Sequence, residues 1–146
     1  MPTTRARRKN KVSIQFAVPR RGIPSAASLR KWAGAASAAE VTLRIVGERE
    51  GRRLHQQFRN QHRATNVLSF SYEKNRGDVV LCHPVIRREA RAQGKKLGAH
   101  YAHLVVHGVL HLRGYDHEKK RDAARMETQE IRILRRIGMR NPYAVE

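Results

Sequence analysis

The chain has a single cysteine, Cys82, in 146 residues. That excludes an internal disulfide and every zinc module built from cysteine clusters, and it fits a reducing compartment, so the cytoplasm is the expected location. Acidic residues are scarce as well: 12 Asp and Glu stand against 31 Lys and Arg, a formal net charge of +19. So much like charge repels itself unless a polyanion is near. Nucleic acid is the expected partner, because neutralising phosphates releases counterions without any base contact. Arginines that merely solvate a basic surface are the plainer alternative. No apolar run approaches the roughly 18 residues of a membrane span, and the charged opening MPTTRARRKNK has no apolar stretch behind it, so no membrane association is expected. Residues 1–11 are expected to form a disordered basic arm, 12–140 one domain, and 141–146 a C-terminal tail. The length suffices to bury a core.

Within the domain the hydrophobic periodicity changes several times. VSIQFAV, from Val12 to Val18, and EVTLRIVG, from Glu40 to Gly47, alternate with period two and predict strands. TNVLSFSY and GDVVLC flank the turn-rich EKNRG and predict a hairpin. Helices are expected over IPSAASLRKWAGAAS, Glu48 to about Phe58, PVIRREARAQGKK with its early proline, GAHYAHLVVHGVLHLRG, and EKKRDAARMETQEIRILRRIG. In the last of these, Ala123, Met126, Ile133, Leu134 and Ile137 make an apolar stripe and Gly138 supplies a stop. Four strands and about five helices, not in strict βαβ alternation, argue a single α+β domain with a mixed sheet.

The fourth helix carries the chemistry. His100, His103, His107 and His111 fall within an arc of about 80° at helical pitch, and nearly every other residue of that segment is apolar. It is therefore expected to be the central helix, with one polar line turned to a cleft. HGVLHLRGYDH, His107 to His117, has the spacing H-x3-H-x2-G-x2-H. His107 and His111 lie one turn apart, and Gly114 lets the chain reverse so that His117 supplies a third nitrogen to the same ion. Three neutral imidazoles without a thiolate suit zinc best, with nickel and copper compatible by ligand type. Three protein ligands leave a fourth position open, the mark of a catalytic ion. His103 and His100 lack the turn spacing and are expected to support the ligands or to belong to the core. Asp116 is expected either to orient a ligand imidazole or to cap the helix starting near Glu118.

HGVLHLRGYDHE resembles the signature of the YbeY-type endoribonucleases, bacterial rRNA maturation factors. RNQHRATNVLSF and GDVVLCHPVIRREARAQGKKLGAHYAHLVVHG match other blocks of that family in the same order, so the resemblance covers roughly Arg44 to Leu134. It implies a four-stranded sheet around a central helix and one zinc ion on His107, His111 and His117. It further implies cleavage of single-stranded RNA, linked to processing of the small-subunit rRNA 3′ end and to ribosome quality control. The family's characteristic arginine falls on Arg59, which would sit near the zinc cleft and hold phosphate. Two departures stand out: Ser71 follows LSF where the family usually has proline, and His55 replaces a common asparagine in the cleft.

Arg59 and His107 are thus the candidate catalytic residues, while His103, Asp116 and His55 are candidates for supporting the ligands or touching substrate. The expected protein is a monomeric, metal-dependent endoribonuclease whose partners are RNA of the small ribosomal subunit and a ribosomal protein or assembly GTPase. Two other readings compete. A non-catalytic, zinc-containing assembly factor explains the charge equally well. A metzincin-like metalloprotease shares the spacing, but Gly108 stands where its general base belongs and cannot replace it.

Overall fold

A computed structural model describes residues 11–59 and 65–144, the side chain of Arg59 excepted. Its elements run β1 (Lys11–Phe16), α1 (Ala26–Ala36), β2 (Glu40–Val46), α2 (Glu48–Arg59), β3 (Val67–Glu73), β4 (Arg76–Cys82), α3 (His83–Ala92), α4 (Leu97–Leu112) and α5 (Lys120–Arg136). This is the single α+β domain expected. The sheet has the order β1-β2-β4-β3, in which β1, β2 and β4 are parallel and β3 pairs antiparallel with β4. The β3–β4 hairpin turns at Asn75, whose φ of 70° is tolerated by its short amide side chain. β1 opens at Lys11, so this residue belongs to the sheet rather than to the arm. Residues 1–10 lie outside the described residues.

The local signals have visible physical causes. Ser25 caps α1 by accepting the Ser28 N–H at 3.1 Å. Leu29, Trp32, Ala33 and Ala36 of that helix pack with Val41, Leu43 and Ile45 of β2 and with Val79 and Leu81 of β4 in the main core. A smaller apolar cluster of Val46, Leu68, Val80 and Cys82 gathers Leu54 of α2, Phe70 and Val85. α4 is wrapped on nearly all sides, with Ala99 its one exposed residue. Tyr101, Val105, Val109 and Leu110 are fully buried in the core it shares with α1, the sheet and α5. Burying one such side chain stabilises the fold by roughly 1.5–3 kcal/mol, so α4 is held rigidly, as a helix bearing a polar line must be.

Candidate metal centre

α4 ends in a Schellman turn. The N–H of Tyr115 reaches back to the Leu110 carbonyl and the N–H of Gly114 to that of His111, with Gly114 at φ 100°. A side chain at that φ would be strained, and glycine makes the reversal cheap. The chain then doubles back, and Asp116 accepts the N–H of His117 at 2.6 Å and of Glu118 at 3.2 Å. Its carboxylate thus fixes the backbone that carries His117. It does not cap α5, which begins at Lys120.

The result brings His107, His111 and His117 together, one ring nitrogen of each within 4.8 Å of the others. Nε2 of His107 lies 3.2 Å from Nε2 of His111, which in turn lies 3.1 Å from Nδ1 of His117. What sits behind the rings decides what these contacts are. Nδ1 of His107 meets the carboxylate of Glu130, an acceptor, and so carries a proton. Nδ1 of His111 donates to the Tyr115 carbonyl at 3.0 Å. In neutral imidazoles both Nε2 atoms therefore present lone pairs to each other. Burial, reinforced by the neighbouring His107 and His117, pushes His111 down to about 4, so its ring is neutral at pH 7. Lone pairs facing at 3.2 Å repel unless a cation lies between them. Tetrahedral bonds of about 2.0–2.1 Å to nitrogen place ligand atoms about 3.3–3.4 Å apart, close to the observed spacing. The three histidines thus fit a metal ion.

Glu130 is the residue the sequence reading passed over. It is fully buried, and its carboxylate is bonded by His107, by the Tyr143 hydroxyl and by His103 Nε2 at 3.1 Å. Burial alone would raise its pKa, but the bonds from His103, His107 and Tyr143 outweigh that and hold it at about 2. It is therefore ionised at any physiological pH. A signal was present: Glu130 sits between Met126 and Ile133 in the apolar stripe of α5, four and three residues away, where a carboxylate needs a partner. Tyr143 reaches the site from the segment expected to be a tail. Burial, then the Glu130 carboxylate, raises its hydroxyl's pKa, so it stays a donor.

The other expected residues divide. His103 touches Glu130 and, at 3.1 Å, the Tyr143 hydroxyl, so it lies behind the triad rather than in it. His100 turns away, its Nε2 on Glu89 at 2.9 Å in a network that includes Asn66. His55 lines the same cavity of about 600 Å3 as His107, His111 and His117, along with Asn66, Ser69 and Ser71. The guanidinium of Arg59 lies outside the described residues, although the backbone of α2 ends at that position. Gly108 faces the sheet: a Cβ there would meet Val79 Cγ1 at 2.6 Å and Ser69 Oγ at 3.2 Å. Its carbonyl accepts the Ser69 hydroxyl at 3.0 Å. A carboxylate at this position would be driven into β3 and β4, so the protease reading fails on packing as well as on chemistry.

Among the described residues no helix is long and apolar enough to cross a membrane. The family described as Endoribonuclease YbeY matches residues 7–138. An endoribonuclease YbeY of Aromatoleum aromaticum is 54% identical over 126 residues, covering 83% of this chain and 82% of its own length. One from Nitrosomonas eutropha is 49% identical over 140 residues, covering 92% and 99%. A Thermotoga maritima protein solved in solution shares the fold at a TM-score of 0.54 and 24% identity, over 86% of this chain and 91% of its own.

Proposed function

The chain belongs to the Endoribonuclease YbeY family, and on that premise we propose that it is a zinc-dependent endoribonuclease that cuts single-stranded RNA. Its task is maturation of the small-subunit rRNA 3′ end and ribosome quality control in the cytoplasm. It works as a monomer that meets a ribosomal protein or assembly GTPase. The observation that carries this reading is the convergence of three imidazole nitrogens within 4.8 Å of one another, those of His107 and His117 lying 3.2 and 3.1 Å from that of His111, with two of the three tautomers fixed from behind. His107, His111 and His117 would hold the ion. When bound, zinc supplies Lewis acidity that can polarise a phosphoryl oxygen and acidify water.

The protein's own residues do the rest. Glu130 keeps the proton of His107 on Nδ1, and the Tyr115 carbonyl does the same for His111. Asp116 fixes the turn that presents His117. The cavity walls of His55, Asn66 and Ser69 offer polar groups to a substrate, and Arg59 grips the scissile phosphate with its planar fork. The net charge of +19 favours a polyanion.

Cleavage of a single-stranded RNA by the zinc-loaded chain, abolished by a chelator and restored by zinc, tests this directly. RNA binding without cleavage by the zinc-loaded chain would sink the enzyme and leave an assembly factor. Arg59→Glu should abolish cleavage with zinc content and thermal unfolding near wild type. Arg59→Lys should lose about 1–3 kcal/mol of transition-state stabilisation. Equal rates for Arg59→Glu and wild type on saturating RNA would remove Arg59 from the mechanism.

A further inference from the structure

A second cavity, of about 550 Å3, is lined by Lys74, Arg113, Tyr115, Asp116, Asp122 and Arg125. Asp116 also lines the histidine cavity, so the two hollows share a wall. We propose that the second cavity is a phosphodiester subsite in which Lys74, Arg113 and Arg125 hold the phosphate of a nucleotide flanking the scissile bond of single-stranded RNA. The proposal deepens the ribonuclease reading and rests on it for the word scissile.

The cations gathered in this cavity are not spent on carboxylates. Arg44 pairs with Glu50, Arg76 with Glu40 and Glu73, and Arg88 with Glu48. Among the described residues Lys74, Arg113 and Arg125 enter no ion pair, although Asp116 and Asp122 line the same hollow. The Asp116 carboxylate is already taken by two backbone N–H groups. Three cations against two carboxylates leave a net positive charge facing the cavity, which an anion offsets.

Two of the cations also lie against the turn after α4. Lys74 sits in the β3–β4 turn, which the N–H of Asn75 ties to the Leu112 carbonyl at the end of α4 at 2.8 Å. The Lys74 stem crosses Gly114, its Cε 3.9 Å from where a Cβ of that glycine would stand. Arg113 gives one Nη1–H to the Ala36 carbonyl at 2.9 Å and lies 5.7 Å from the Tyr115 ring centre. That leaves donors of its fork for a phosphate. Arg113 is therefore fixed at the turn that carries His111 round to His117, and the Lys74 stem lies beside that turn. A strand passing over Asp116 would meet the histidines on one side and this cluster on the other. A free anion would use one cavity, whereas a phosphodiester chain can use both.

The test takes the zinc-loaded full chain, wild type and Lys74→Ala/Arg125→Ala, with a fluorescein-labelled single-stranded RNA, and reads anisotropy immediately after mixing, before turnover. Loss of two of the three cations on that phosphate should weaken binding roughly tenfold or more and make the log–log salt dependence shallower by about 0.7. In cleavage assays the loss should fall on KM rather than kcat. A methylphosphonate, which removes the charge of one phosphate, is then scanned along the RNA. At one position flanking the cut it should weaken wild-type binding and leave the double variant indifferent. Equal affinity, or equal sensitivity at every position, overturns the subsite. If the double variant loses thermal stability or zinc, Lys74→Gln takes its place in the same scan. Wild-type protein that binds but never cuts would fail the ribonuclease reading by itself, while the scan would still decide whether a phosphate rests on this cluster.

Discussion

The two halves of α4 carry the same residue type along the same line and put it to different uses. In the N-terminal half, His100 and His103 each spend Nε2 on a carboxylate, Glu89 or Glu130, and leave Nδ1 buried without a hydrogen-bond partner. In the C-terminal half, His107 and His111 spend Nδ1 on Glu130 and Tyr115 and turn Nε2 toward each other and His117. A histidine's role is thus set by which nitrogen the fold occupies first. Where the inner nitrogen is bonded, the outer lone pair is left at the cavity for an ion. Where the outer nitrogen is bonded, the nitrogen left over is buried and does not face the cavity.

The comparison breaks most sharply if a residue of the C-terminal half proves dispensable. His107→Ala or His111→Ala should drop bound zinc well below one per chain by elemental analysis, with RNA cleavage lost; a metal-replete variant would refute the assignment. Next in size is Glu130→Gln, which keeps the volume but removes the charge that fixes His107. Zinc affinity measured by chelator competition should fall about 10–100-fold, and unchanged affinity would mean that the carboxylate only fills the core. His100→Gln should then separate the halves. Glutamine can still donate to Glu89, so zinc should stay at one per chain and unfolding free energy in denaturant should change by less than about 1.5 kcal/mol. Zinc loss there would move His100 to the other side of the comparison.

The comparison also predicts a pH dependence of the metal-free chain. His111 is lowered from 6.5 to about 4, so its contribution to stability is complete above pH 6.5 and is lost as pH falls toward 4. Glu130 is lowered from 4.5 to about 2, so its contribution is complete above pH 4.5 and is lost as pH falls toward 2. The chelated wild type should therefore begin to lose Tm below pH 6.5, and His111→Gln should flatten the part between 6.5 and 4. Superimposable curves in that window would show that the burial of His111 carries no linkage.

Much of the fold was legible because its signals are local. Alternation placed the strands, the glycines at 114 and 138 marked helix ends, and the spacing from His107 to His117 gathered three imidazoles before any contact was known. Each of these depends on residues within a turn or two of one another, where helical pitch and φ preferences act directly. The sequence by itself therefore determined the elements, the buried central helix and the histidine triad. Only the tertiary structure decided the strand order, the pressing of Gly108 against Val79, and the arrival of Glu130, 23 residues from His107, and of Tyr143 behind the triad. Those contacts join elements whose separation along the chain carries no periodic signal. They are chosen by which apolar faces must meet, because burying Met126, Ile133 and Leu134 of α5 carries Glu130 into the core, where the ring nitrogens of α4 are the donors that compensate its charge.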